Sequence, residues 1–308
     1  MTPDPGDTAA LEALDARLQA LLPQEYQDAY EEVEPAPMGS ADLKYGPDGQ
    51  VAWNEIWQSF CDLAMAGGPP HKGRLLRPAT PEEIAAEPDR AAAVEREICR
   101  GVTLATGLPA DPSEEPGWIH VGCDSDGMAA WLLRAIAMEN VSARAEGAVL
   151  DLPSGPGYRI EKEIKNVVTV VAKTCHYWSG HMWRFEQRAI ADLFAAMDAE
   201  SPLVVPSETL AREPIAASPA WSTAAAALRA ATPLPVAPAA YPDWIGIECP
   251  SVRAAIWMMR MMVASNVLAR REDTVLFLPV NPVQDPSGQR VASAVARVHR
   301  LARMKTIS

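Results

Sequence analysis

The chain has 308 residues, enough for one large or two moderate domains, and a formal net charge of −13. A surface so negative repels phosphate backbones and anionic headgroups, which argues against nucleic acid or a membrane as a general partner. Five cysteines, at 61, 99, 123, 175 and 249, form no disulfide framework. With an acidic N-terminal stretch that lacks the apolar segment of a signal peptide, they point to the reducing cytoplasm.

In chain order, Leu11, Leu14, Leu18, Leu21 and Leu22 follow helical spacing within 8–33, interrupted by Pro23. Gly46-Pro47-Asp48-Gly49 reads as a turn or hairpin tip. A second helix is expected over 54–65, stopped by Gly67-Gly68-Pro69-Pro70. Thr80-Pro81-Glu82-Glu83 supplies an N-cap, a proline at the first helical position and acidic first-turn residues for a third helix, interrupted at Pro88 and running to about Thr106. Residues 1–110 therefore read as a mainly helical region.

Residues 118–156 then recur as 244–282 at a constant offset, and 17 of the 39 aligned positions are identical. WIHVGC at 118 meets WIGIEC at 244, and Ser125, Trp131, Arg134, Asn140, Arg144 and Glu146 meet Ser251, Trp257, Arg260, Asn266, Arg270 and Glu272. Each copy reads as a strand, a helix capped by serine, an asparagine suited to a left-handed helix end, two strands joined by a tight turn, and a second helix. The expected fold class is α+β: tandem duplicated β-α-β-β-α units packed with pseudo-twofold symmetry behind the helical N-terminal region. The first unit with its helical extension is assigned to 111–199, the second to 243–308. Between them 200–242 is an Ala/Pro-rich connection with one helix near 222–231. The all-round apolar helix 254–263 is expected to be buried between layers.

The most distinctive chemistry lies on the second helix of the first copy. Lys162, Asn166, Thr169, Lys173, His176 and Tyr177 fall on one stripe, which could line a cleft for a small anion or be the wet side of the helix. His181 follows one turn later. In the N-terminal part, His71, Lys72 and Arg74 lie in a glycine-containing basic loop that matches neither a phosphate-binding loop nor a dinucleotide fingerprint. Catalytic candidates are Lys173, Cys175 and His176. Cys175, His176 and His181 are weak metal candidates, since they lack CxxC or HExxH spacing, and the expectation is that no metal is held. Cys123 and Cys249 close equivalent strands, and a packing role suits them better than reactivity. The paired arginines at 134/260 and 144/270 are expected to meet carboxylates across the pseudo-axis, with Glu146 and Glu272 as candidates. The basic run Arg297, Arg300, Arg303 and Lys305 reads as a solvated helix face or a favourable helix C-terminus.

No sequence signature identifies a reaction or a cofactor. The reading that follows is a cytoplasmic, pseudosymmetric binding or assembly protein that engages a protein partner or a small anionic ligand, with self-association left open. The alternative is an enzyme whose pocket lies beside the Lys162–His181 helix and acts on an anionic substrate through Cys175, His176 or a bound metal.

Overall fold

The computed structural model describes residues 5–21, 43–55, 73–213 and 218–305. Helices and two small antiparallel sheets make it an α+β protein. The chain divides into two compact units: Pro23–Ala191, and Met1–Leu22 together with Asp192–Ser308. The helices in chain order are α1 (Pro5–Leu21), α2 (Pro81–Ala86), α3 (Pro88–Thr106), α4 (Asp126–Met138), α5 (Lys165–His176), α6 (Arg184–Glu200), α7 (Glu208–Ala211), α8 (Pro219–Ala231), α9 (Val252–Ala264) and α10 (Gln289–Met304). The strands are β1 (Ala110–Pro112), β2 (Trp118–Gly122), β3 (Arg144–Glu146), β4 (Val149–Pro153), β5 (Trp244–Glu248), β6 (Arg270–Glu272) and β7 (Val275–Pro279). The helix expected over 54–65 lies mostly outside the described residues.

In the unit Pro23–Ala191, the turn 46–49 closes with Gly46 N–H donating to Gln50 O and Gly49 in the left-handed region. Thr80 and Glu83 form a reciprocal capping box, and the chain breaks at Glu87 between α2 and α3, ahead of Pro88. The sheet order is β1-β2-β4-β3. Its inner face carries Ile119, Val121, Leu150 and Leu152, all fully buried. Each such side chain contributes about 1.5–3 kcal/mol. The expected second helix becomes a composite: a π-helical turn Ile160–Ile164, then α5, then a second π-helical turn Tyr177–His181. Gly101 of α3 lets the helix approach closely, because a Cβ there would sit 2.6 Å from a Val168 methyl.

In the second unit the sheet order is β5-β7-β6, with Ile245, Ile247, Leu276 and Leu278 fully buried on the inner face. Helix α9 is buried along nearly its whole length, as its apolar composition requires. The basic run of α10 meets α1: Arg300 pairs with Asp7 at 2.7 Å and Lys305 with Asp15 at 2.8 Å.

The same local hydrogen bonds occur in both units. Trp118 lies opposite Pro153 and Trp244 opposite Pro279. Ser125 and Ser251 each accept from the backbone N–H three residues on, capping α4 and α9. Asn140 and Asn266 end these helices at φ 59° and 57°. Their carbonyls accept from Leu76 N–H and Val204 N–H. Gly122 N–H donates to Pro109 O, and Glu248 N–H to Pro235 O. Thus β1 and the bridge at Val236 extend the sheets at β2 and β5, while Leu76 and Val204 bridge Val141 and Val267 ahead of the hairpins.

Asn266 links this backbone to its surroundings, since its Nδ2 donates to Asp198 Oδ1 (2.6 Å) and Ser201 O (2.8 Å). Asn266→Ala combines left-handed strain of about 1–2 kcal/mol with the loss of two hydrogen bonds worth about 1 kcal/mol each. A destabilisation of roughly 3–4 kcal/mol is expected in urea titration. Asn266→Gly relieves the strain and is expected to cost less; equal losses for the two variants would show that φ carries no weight here.

Candidate functional site

The stripe on the composite helix does not form one surface. Lys162 is exposed, 3.6 Å from Glu163, and Asn166 is half-buried. Thr169 is buried, with its hydroxyl donating to Lys165 O at 2.7 Å. Lys173 is fully buried: its Nζ donates to Glu139 Oε1 at 2.5 Å and lies 6.0 Å from the Tyr177 ring centroid. Burial drives its ammonium below the usual lysine range, against the opposing pull of Glu139. Removing either partner alone would strand a buried charge, a loss of about 3–5 kcal/mol. Arg74 is exposed, while His71 and Lys72 lie outside the described residues.

Cys175 sits on the packed side of α5, and burial, with Cys123 and Asp124 nearby, pushes its thiol up. His176 points elsewhere and meets His181, Nε2 to Nε2 at 3.0 Å. Burial and His181 lower the His176 pKa. Cys123 and Cys249 are pushed up to about 12, mainly by burial. Serine caps α4 and α9 two residues after these thiols, and desolvation outweighs whatever the helix ends contribute. Among the described residues, no group of three or more His, Cys, Asp or Glu side chains is placed to hold a metal ion.

A second cluster, not anticipated from the sequence, lies on the outer face of the first sheet. Register aligns Asp111 with His120, His120 with Asp151, and Asp151 with Arg144, one row across β1, β2, β4 and β3. Cross-strand neighbours share a face, so all four side chains belong to the same surface. Asp151 engages His120 Nδ1 through Oδ1 and accepts from Arg144 Nε through Oδ2 at 2.6 Å. Arg144 also pairs with Glu115 at 2.6 Å and stacks over Trp118, 4.4 Å from its ring centroid. The His120 side chain is 44% exposed. With Nδ1 engaged, its Nε2 is the nitrogen left for solvent or a partner.

The equivalent positions of the second unit are closed. Gly246 and Phe277 stand where the first unit has His120 and Asp151, and Tyr241 stands where it has Glu115. Arg270 is fully buried among Phe277, Tyr241 and Trp244, its guanidinium 4.2, 4.3 and 4.9 Å from the three ring centroids. Glu272 Oε1 accepts from Arg270 (2.7 Å) and from the Tyr241 hydroxyl (2.5 Å). A Cβ at Gly246 would stand 2.7 Å from Val275 and 3.2 Å from the Phe277 ring, so glycine makes room for this packing. The arginine pairing expected across the pseudo-axis is found within each unit instead: Arg270 meets Glu272, and Arg144 meets Asp151 and Glu115. The signal for the open row was present in the repeat itself, as polar residues facing aromatic or glycine counterparts.

The raised thiols predict slow chemistry. In a Cys61→Ser background, Cys99, Cys123, Cys175 and Cys249 are expected to stay unmodified by an aromatic disulfide reagent at pH 7.5 and to react at once in denaturant. Rapid native labelling of Cys123 or Cys175 would restore the case for a thiol nucleophile. The chain matches no protein-family model, no curated protein and no solved structure.

Proposed function

We propose that this is a binding or assembly protein rather than a catalyst, and that its recognition chemistry resides in the first copy of the repeat. The observation that carries the reading is the divergence at equivalent sheet positions: Glu115, His120 and Asp151 hold an arginine at an open, charged surface where Tyr241, Gly246 and Phe277 enclose one. A closed cage suits stability, and an open row of charges over a tryptophan suits recognition of another macromolecule. Trp183 and Phe185, 70% and 69% exposed beside this unit's composite helix, add aromatic residues of the kind that anchor protein interfaces.

Of the two ligand classes, a protein partner is better supported than a small anion. Lys173 is neutralised by Glu139, and Arg144 by Asp151 and Glu115, which leaves little uncompensated positive charge to draw an anion. The enzyme alternative has less support for the same reason: its lysine is sealed and its thiol is buried. Duplication of one ancestral unit, with the pseudo-twofold packing that the sequence suggests, belongs to the same proposal. So does the cytoplasmic setting; among the described residues, no helix is long and apolar enough to cross a membrane.

The second copy supplies the test. The triple variant E115Y/H120G/D151F installs its residues around Arg144 while leaving Glu146 to play the part of Glu272. This variant is expected to keep its melting temperature within a few degrees and to lose most of the proteins that the wild type retains in quantitative affinity capture. Identical capture profiles for the two, or an active turnover assay that the triple variant abolishes, would overturn the reading.

A further inference from the structure

We propose that His176 and His181 form a two-imidazole chelate for a divalent copper- or nickel-class ion. The two residues are five apart, which on a regular α-helix would set them about 140° apart around the axis. The π-helical turn Tyr177–His181 widens the backbone there, and the rings converge with their Nε2 atoms 3.0 Å apart and their planes at 77°. Such turns are frequent at functional sites because they re-aim side chains that an α-helix would separate.

The separation matches a coordination shell. With metal–nitrogen bonds of 2.0–2.1 Å, two cis nitrogens at a right angle lie about 2.9 Å apart, and at a tetrahedral angle about 3.3 Å. The observed 3.0 Å is the length of the hydrogen bond between the rings and brings both nitrogens within the span of one shell; imidazole ligands with open positions beside them suit copper(II) and nickel(II). Gly180 contributes by its lack of a side chain: a Cβ there would come within 3.2 Å of His176 Cε1 and Nδ1, displacing the ring. Both histidines are half-buried, so solvent can reach the site and fill the remaining coordination positions. The carbonyls at the C-terminal end of the composite helix add a field that favours a cation.

Without metal, one ring donates its Nε2–H to the lone pair of the other. On binding, both lone pairs turn to the ion. The ring that had donated carries its proton on Nδ1 instead, so both ligands remain neutral and no redox step is involved. Cys175 takes no part, since it lies on the packed face of the helix with Cys123 and Asp124.

The test is titration of the purified full-length protein with Cu²⁺ and with Ni²⁺, followed by isothermal calorimetry and, for copper, by electron paramagnetic resonance. One equivalent is expected to bind with the nitrogen hyperfine pattern of two imidazoles. Losing a direct ligand in H176A or H181A is expected to weaken binding by at least the roughly 10- to 100-fold that follows loss of an outer-shell partner. G180A is expected to weaken it as well, by moving the His176 ring. H176Q and H181Q serve the same purpose with an amide retained should an alanine variant unfold. Wild-type affinity no higher than that of the H176A/H181A double variant, or of the two glutamine variants, would overturn the proposal, as would a spectrum showing fewer than two nitrogen ligands.

Discussion

At Asn140 and Asn266 the chain must leave a helix, reverse and enter a strand within four residues, and a left-handed asparagine makes this possible in both units. The backbone reversal costs strain that asparagine bears better than most residues with a Cβ. Its carbonyl then receives an upstream strand-like segment, through Leu76 N–H in one unit and Val204 N–H in the other. Its side-chain amide reaches that same segment or its approach, at Gly73 O for Asn140 and at Ser201 O for Asn266. One residue thus sets the exit of the central helix, the register of the following hairpin and the position of the chain that enters the unit. The row at His120 depends on that reversal through β3 and β4, which follow it and carry Arg144 and Asp151.

With the frame fixed, differences between the units are confined to what stands on it. An arginine stacks on a tryptophan in both, Arg144 on Trp118 and Arg270 on Trp244. In the second unit the guanidinium is removed from water, and aromatic faces with one carboxylate take the place of its hydration. Burial there depresses the Arg270 pKa. In the first unit two carboxylates pair with the cation in a half-buried setting, and the more exposed His120 imidazole joins them through Asp151. Substituting Asp for Phe and Glu for Tyr exchanges packing for exposed charge, which makes sense as a gain in recognition rather than in stability.

Much of the frame was legible because it depends on residue types with narrow physical roles. Serine before a helix, asparagine after it and two alternating apolar strands specify the local path with little tertiary help. The segments around 76–80, 109–112, 204–207 and 235–238 were harder to see. They are joined to the strands or to the residues flanking them by main-chain hydrogen bonds, which leave side chains free to diverge, so the first lies at a different offset from its counterpart than the repeat does. A uniform helical period places Lys162 to Tyr177 on one polar stripe. Two π-helical turns break that period, so that Lys173 turns inward and His176 meets His181. The row at His120 was legible in principle, since it required reading mismatches between the copies rather than identities.

The Lys173–Glu139 pair bears on why the histidines meet where they do. A buried ion pair of this kind seldom stabilises a fold more than apolar residues of similar size would, because each charge loses its hydration. Its directional effect is another matter. Glu139 caps the end of α4, so the bond from Lys173 fixes the rotation of α5 against that helix end in a way that valine packing alone would leave degenerate. Tyr177 follows one turn later, its ring within 6.0 Å of the Lys173 ammonium and 5.9 Å from the His181 ring. The buried pair therefore sets the helical phase from which the π-helical turn departs. That phase decides whether the imidazoles of His176 and His181 face each other or face apart.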